Sequence, residues 1–142
     1  MILALLSVLF LLQIPEPGPW KALPSDEDGR YAYRLIEEDS AGEPRRLVLR
    51  ATPSQPRDWA AGELVYELSC SARTATIVSV RSLDAGEAEM QVVEVPEERR
   101  RAEAIYAGEG LATTLYADVC PDGPPLDEPP PPPQIVPVPP RG

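Results

Sequence analysis

The residues of this chain that could do chemistry are two cysteines and a short run of carboxylates. Cys70 and Cys120 are its only cysteines, whereas Glu37, Glu38 and Asp39 stand next to one another, and there is no histidine. Without an imidazole, the Ser–His and Cys–His nucleophile pairs and the commonest zinc ligand are excluded. Carboxylate chemistry remains possible in principle.

The adjacent carboxylates are a weak candidate for catalysis. A carboxylate-dependent hydrolase needs two convergent groups with separated pKa values, but neighbours on a strand or turn point in different directions. A divalent-cation site at Glu37–Asp39 would lack the Asp-x-Asp-x-Asp-Gly spacing of a calcium loop. The pattern favours a solvated acidic turn. We expect no catalytic residues, no metal ion and no cofactor, with the hydrolase kept as an alternative.

The two cysteines predict a disulfide if the chain is exported. Cys70 ends a strand-like segment on its apolar side, and Cys120 ends a helix-like segment. A lone cysteine pair in an exported chain most simply forms a bridge. The alternatives are two unpaired buried thiols or a redox role, and the absence of a CxxC motif disfavours the second.

The N-terminal residues 1–19 predict an export signal or an apolar anchor. Residues 2–12 read ILALLSVLFLL. This run is shorter than the roughly 20 residues of a membrane-spanning helix, and it suits the core of a signal peptide. It lacks the preceding basic residues and the following small-x-small motif of a standard signal. A buried strand or helix is the alternative. We expect a periplasmic or cell-surface location and no integral membrane span.

The remaining chain divides into a domain over 20–120 and a proline-rich tail over 121–142. Proline fixes φ and lacks an N–H, so the tail predicts a disordered polyproline II arm. Such an arm could be a spacer or a ligand for an aromatic groove on a partner. The net charge of −10 disfavours nucleic acid. Arg99–Arg101 follow Glu97 and Glu98, and we interpret them as a solvated helix face with compensating charges, with a binding patch as the alternative.

Five segments of the domain have the alternation or β-branched composition of strands, and they predict an antiparallel meander. They are 30–36, 46–50, 63–70, 74–81 and 90–95. Pro96 before two glutamates then predicts a helix that stops near Gly108. The apolar spacing from Leu111 to Val119 predicts a second helix, with a strand as the alternative. The predicted fold class is α+β.

Several of these features together resemble one family. They are Trp20 soon after the apolar run, Tyr31 and Tyr33 before Asp39-Ser40, the strand ELVYELSCSARTATIVSV and the closing LATTLYADVC. The chain is similar over 20–120 to the surface-adhesin protein E-like domains of bacterial envelope proteins. We expect an antiparallel sheet of five to six strands. The resemblance implies that a C-terminal helix is tied across its concave face by the Cys70–Cys120 disulfide. Because the named adhesin is lipid-anchored and this chain has no lipidation cysteine, adhesion to host proteins is not implied.

We therefore expect a non-catalytic binding or structural domain of the envelope, whose partner is a protein or an envelope component. The candidate contact surface comprises a sheet edge and the aromatic residues Tyr31, Tyr33, Trp59 and Tyr66. For each of these side chains a place in the core is the more ordinary role. An edge strand could also pair with its copy in a homodimer. The alternative is a small secreted inhibitor or accessory subunit that docks through the proline-rich tail.

Overall fold

The computed structural model describes residues 18–36, 42–55 and 57–137. The apolar run of the predicted export signal and the carboxylates at 37–39 lie outside the described residues. Within them, seven strands and one α-helix are found: β1 (Lys21–Leu23), β2 (Gly29–Leu35), β3 (Arg45–Pro53), β4 (Ala61–Ser69), β5 (Thr74–Leu83), β6 (Glu89–Glu94), β7 (Ala102–Ala104) and α1 (Leu111–Val119).

The strands form one antiparallel sheet in which β1 to β6 follow one another in chain order. Short β7 pairs with Thr74–Thr76 at the start of β5, while β6 pairs with Ser79–Leu83 further along it. The two strands therefore share one edge of β5. The predicted antiparallel meander is confirmed, and so is the α+β class, because the segment from Leu111 is a helix and not a strand.

The helix predicted from Pro96 to Gly108 is wrong. Glu97–Arg99 form a single 3-10 turn, and Arg100 is already extended at φ −65° and ψ 135°. The first part of β5 has backbone groups that β6 does not reach, and a strand at Ala102–Ala104 satisfies them. Pairing with this free edge outweighs the local signal for a helix start.

The core lies between α1 and one face of the sheet, which we call the helix face. Leu115, Tyr116 and Val119 of α1 are buried against side chains from the first four strands and Ile105. These side chains alternate along their strands, as a half-buried sheet requires. The sheet and Ile105 contribute Leu23, Tyr33, Leu47, Leu49, Leu68 and Ile105.

Two kinds of polar contact hold α1 in place. The Tyr33 hydroxyl donates to Asp118 Oδ2 at 3.0 Å, which joins β2 to the helix. The Tyr116 hydroxyl lies 3.1 Å from the Cys70 carbonyl oxygen and 2.7 Å from that of Pro124. Tyr116 therefore connects the end of β4, the helix and the segment that follows the helix.

The predicted disulfide between Cys70 and Cys120 is confirmed. The two sulfur atoms are 2.07 Å apart and the Cα atoms 5.6 Å apart. Cys70 directly follows β4 and Cys120 caps the C-terminus of α1. Since an isolated helix shorter than about 12 residues is marginal in water, the nine-residue α1 depends on this bridge and on its packing.

The first residues after Cys120 are held against the domain. Arg73 Nη1 donates to the Pro125 carbonyl oxygen at 3.1 Å and lies 3.1 Å from Asp127 Oδ1, while Leu126 packs on the core. An added Cβ at Gly123 would lie 2.6 Å from the Tyr116 hydroxyl oxygen, so a larger residue there would displace this hydroxyl from its contacts. No helix or strand is found from 124 to 137. The disordered tail expected over 121–142 thus remains a prediction only beyond Asp127.

Removal of the bridge is expected to lower stability substantially. The Cys70→Ala/Cys120→Ala variant should lose about 4 kcal/mol of unfolding free energy, because the bridge closes a loop of 50 residues. Urea denaturation checks the loss, and reduced wild type should unfold at the same midpoint as the variant. A loss under about 1 kcal/mol would show that packing alone holds α1 in place.

Candidate functional site

The helix covers only part of the helix face. The sheet is six strands wide, because β6 and β7 share one edge of β5. At a spacing of about 4.8 Å between strands it is about 24 Å wide, whereas a helix with its side chains is about 10 Å across. Because α1 packs on core side chains of the first four strands, no helix in the described part of the chain covers Val80 of β5 or the side chains of β6 on this face. Val80 is accordingly 39% exposed and Val93 is 51% exposed. A groove remains beside the helix.

The groove has a volume of about 610 Å³ and a mainly apolar lining. Its floor is the helix face of β3–β5 with Val95, and its walls are the N-terminal half of α1 and the segment from Arg99 to Ile105. This volume falls within the range of about 300–1,000 Å³ that is usual for small-molecule sites. The apolar lining consists of Leu49, Leu68, Ala75, Ile77, Val80, Val95, Ala104, Ile105, Leu111, Ala112 and Leu115.

Four polar side chains also line the groove: Tyr66, Arg99, Arg101 and Glu103. Burial, and to a lesser extent the charge of Glu103, raise the pKa of the Tyr66 hydroxyl. Arg101 Nη1 donates to the Glu98 and Arg100 carbonyl oxygens, at 3.3 and 3.1 Å. Among the described residues, neither Arg99 nor Arg101 lies within ion-pair distance of a carboxylate. The expected compensation by Glu97 and Glu98 is therefore not observed.

The opposite, open face of the sheet carries a row of three charged side chains. Arg50, Glu63 and Arg81 are direct cross-strand neighbours on β3, β4 and β5. Glu63 is only 2% exposed. Its Oε2 lies 3.4 Å from Arg50 Nη2, and its Oε1 lies 3.0 Å from Arg81 Nε, although the Arg81 contact is too oblique for a hydrogen bond. The two arginines compensate the buried carboxylate.

Trp20 extends this row towards β2. The guanidinium carbons of Arg34 and Arg50 lie 4.7 and 4.4 Å from the centre of its ring, within cation–π range. Both Glu63 oxygens face arginines, so this carboxylate is not placed to act as a base or nucleophile. The row stabilises the open face of the sheet.

Neither a metal cluster nor a membrane-spanning helix is found in the described parts of the chain. No group of three potential ligands converges there, and α1 is far too short to cross a bilayer.

The structure separates the four aromatic residues of the predicted contact surface. Tyr33 lies in the core and Tyr31 packs at its margin, with its hydroxyl donating to Asp26. Tyr66 lines the groove. Trp59 lies in the β3–β4 loop, where its ring faces Gly62. Only Tyr66 therefore belongs to the groove.

The groove arginines were missed by the sequence reasoning. Arg99, Arg101 and Glu103 follow one another at intervals of two, which is the period of a strand that leads into β7. This spacing was the available signal, but the preceding Pro-Glu-Glu favoured a helix. The placement of Trp20 beside Arg34 and Arg50 depends on the pairing of β1 with β2, which local sequence does not contain.

Comparisons with family models, curated proteins and solved structures gave no significant match.

Neutralisation of the buried carboxylate should destabilise the fold. Glu63→Gln leaves two guanidinium groups without their anion and is expected to cost about 1–3 kcal/mol of unfolding free energy. Glu67→Gln is the matched control, since Glu67 lies on the same strand, is 30% exposed and pairs with Arg46 at 3.7 Å. That variant should lose less than about 1 kcal/mol. Equal losses in urea denaturation would contradict a special role for Glu63.

The Tyr33 hydroxyl makes stability sensitive to alkaline pH. Burial, and then the hydrogen bond to Asp118, raise the pKa of Tyr33 to about 12 from 10.0. The neutral phenol is favoured by folding, so its contribution is complete below pH 10.0 and is lost as pH rises towards about 12. The urea midpoint should fall over this range by less in Tyr33→Phe than in wild type. Exposed Tyr106→Phe is the control, and identical pH profiles for wild type and Tyr33→Phe would contradict the assignment.

Proposed function

We propose that this chain is an exported, non-catalytic binding domain of the cell envelope, similar to the surface-adhesin protein E-like domains. The observation that carries the proposal is the apolar groove beside α1. A disulfide at the C-terminal end of α1 fixes the helix that forms one wall of this groove. The domain thus presents a preformed concave surface on a covalently braced scaffold.

The disulfide supports the exported location. Disulfides persist in oxidising compartments and are rare in the cytosol. Cys120 is buried and Cys70 packs against the core, so the bridge is part of the folded structure. A short apolar run at residues 2–12 has the length of a signal core.

The lining of the groove supports binding over catalysis. Its titratable side chains are Tyr66, Glu103 and two arginines. General acid–base chemistry near neutral pH needs two groups with pKa values on either side of neutrality. The raised pKa of Tyr66 moves that hydroxyl away from this range. The groove instead combines a large apolar surface with a few polar groups, as ligand sites do.

An accessory subunit that docks through its tail is the second candidate. The contacts of Arg73 with Pro125 and Asp127 fix where the tail leaves the domain, and Ile135 and Val136 are 93% and 78% exposed. Two exposed apolar residues between prolines suit an aromatic groove on a partner. Truncation after Asp127 would then abolish partner binding, whereas a groove-based domain would keep it.

Mass analysis of the protein recovered from its source cell tests the export proposal. Under non-reducing conditions we expect the envelope fraction to contain a chain that lacks the residues before about Trp20. Its mass should be two hydrogen masses below that of the same chain after reduction. Reduction should restore the two hydrogens without another change, which is the internal control. A cytosolic chain with free thiols and an intact Met1 would overturn the proposed location.

A further inference from the structure

We infer that the groove binds a single-chain anionic amphiphile of the fatty-acid class, with the acyl chain on the apolar floor and the carboxylate at Arg99 and Arg101. This inference names the ligand of the proposed binding domain and rests on that proposed function.

The shape of the groove favours an extended apolar chain. The floor runs from Leu68 and Ala75 across Ile77 to Val80 and Val95, so apolar side chains from several strands form one continuous strip. The strip continues to the sheet edge, because Val80 pairs with Val93 of β6 and both side chains are partly exposed. An acyl chain would cover surface that water now contacts.

The charges at the groove favour an anionic head. The protein has a net charge of −10, yet two arginines line this groove without an ion pair to any carboxylate among the described residues. The backbone carbonyls that accept from Arg101 fix its guanidinium but leave its charge uncompensated. A ligand carboxylate can accept charge-assisted hydrogen bonds from such groups. Glu103, in the same lining, would repel a head with several negative charges more strongly than a head with one.

A second copy of the chain and the protein's own tail fit the groove less well. Glu94 at the C-terminal end of β6 carries negative charge to the edge where another copy would approach, while Glu89 at the other end lies 3.9 Å from Arg81. Ile135 and Val136 of the tail are exposed to solvent and do not occupy the groove.

The first test is calorimetric titration of the oxidised full chain with alkyl amphiphiles below their micelle concentrations. Dodecanoate should bind with one-to-one stoichiometry. Dodecyltrimethylammonium has the same alkyl chain and a cationic head, and it should bind at least about tenfold more weakly. Affinity should rise from decanoate to dodecanoate by up to about fourfold for each added methylene. Absence of saturable binding, or equal affinity for both heads, would overturn the inference.

Paired variants assign the two parts of the ligand. Val80→Gln should weaken dodecanoate binding several-fold, while Val92→Gln should not, since Val92 is 40% exposed on the opposite face. The double variant Arg99→Gln/Arg101→Gln should weaken dodecanoate binding about tenfold and remove the difference in affinity between the anionic and the cationic amphiphile. The control variant Arg30→Gln/Arg57→Gln removes the same charge outside the groove and should leave the affinity for dodecanoate unchanged. Equal effects within either pair would overturn the assignment.

Two further results would identify another occupant and also overturn the inference. A ligand-free dimer in sedimentation that Val80→Gln dissociates would mean that a second copy fills the groove. Changes in the amide NMR shifts of Ile77 and Val80 on truncation after Asp127 would mean that the tail fills the groove. Failure of amphiphile binding by an exported, oxidised chain rejects only this ligand class, whereas cytosolic reduced protein rejects the proposed function itself.

Discussion

A helix of nine residues makes few internal hydrogen bonds, so α1 exists because of what holds it to the sheet. The Cys70–Cys120 bridge ties its C-terminal end to the end of β4, and Tyr33 holds the last turn through Asp118. The position of the helix then determines everything else on this face. The side chains beneath it become the core, and those beside it become the floor of a groove. A longer or centrally placed helix would have covered the same apolar surface.

The two faces of the sheet bury different kinds of side chain. The helix face buries apolar side chains against α1, whereas the open face buries a carboxylate and surrounds it with arginines and an indole ring. A buried Glu63 without Arg50 and Arg81 would carry a large desolvation cost. Cross-strand registry supplies both partners at once, since all three residues are aligned on neighbouring strands. The charged row therefore constrains the register of β3, β4 and β5.

The strands, the closing helix and the bridge were predictable, because alternation along β4 and the spacing from Leu111 are local patterns that match the final packing. The fold differs from the sequence-based prediction at the segments whose structure depends on pairing with a distant strand. Lys21–Leu23 is too short to show a period, and Ala102–Ala104 becomes a strand only because the edge of β5 is free. The groove was not predictable for the same reason. It follows from the width of the sheet relative to the helix and from the edge that brings Arg99 and Arg101 beside it.

The helix that covers the sheet is also the last regular element of the described residues. During synthesis from the N-terminus, β1 to β6 are complete before α1 and Cys120 emerge. At about 5–20 residues per second, the interval between Leu68 and Cys120 lasts about 3–10 s. Throughout it, the apolar side chains of the helix face, including Leu47 and Leu68, lack their cover, and no bridge can form. The nascent sheet is thus a transiently exposed species whose escape from aggregation depends on how fast the residues from Leu68 to Cys120 are added.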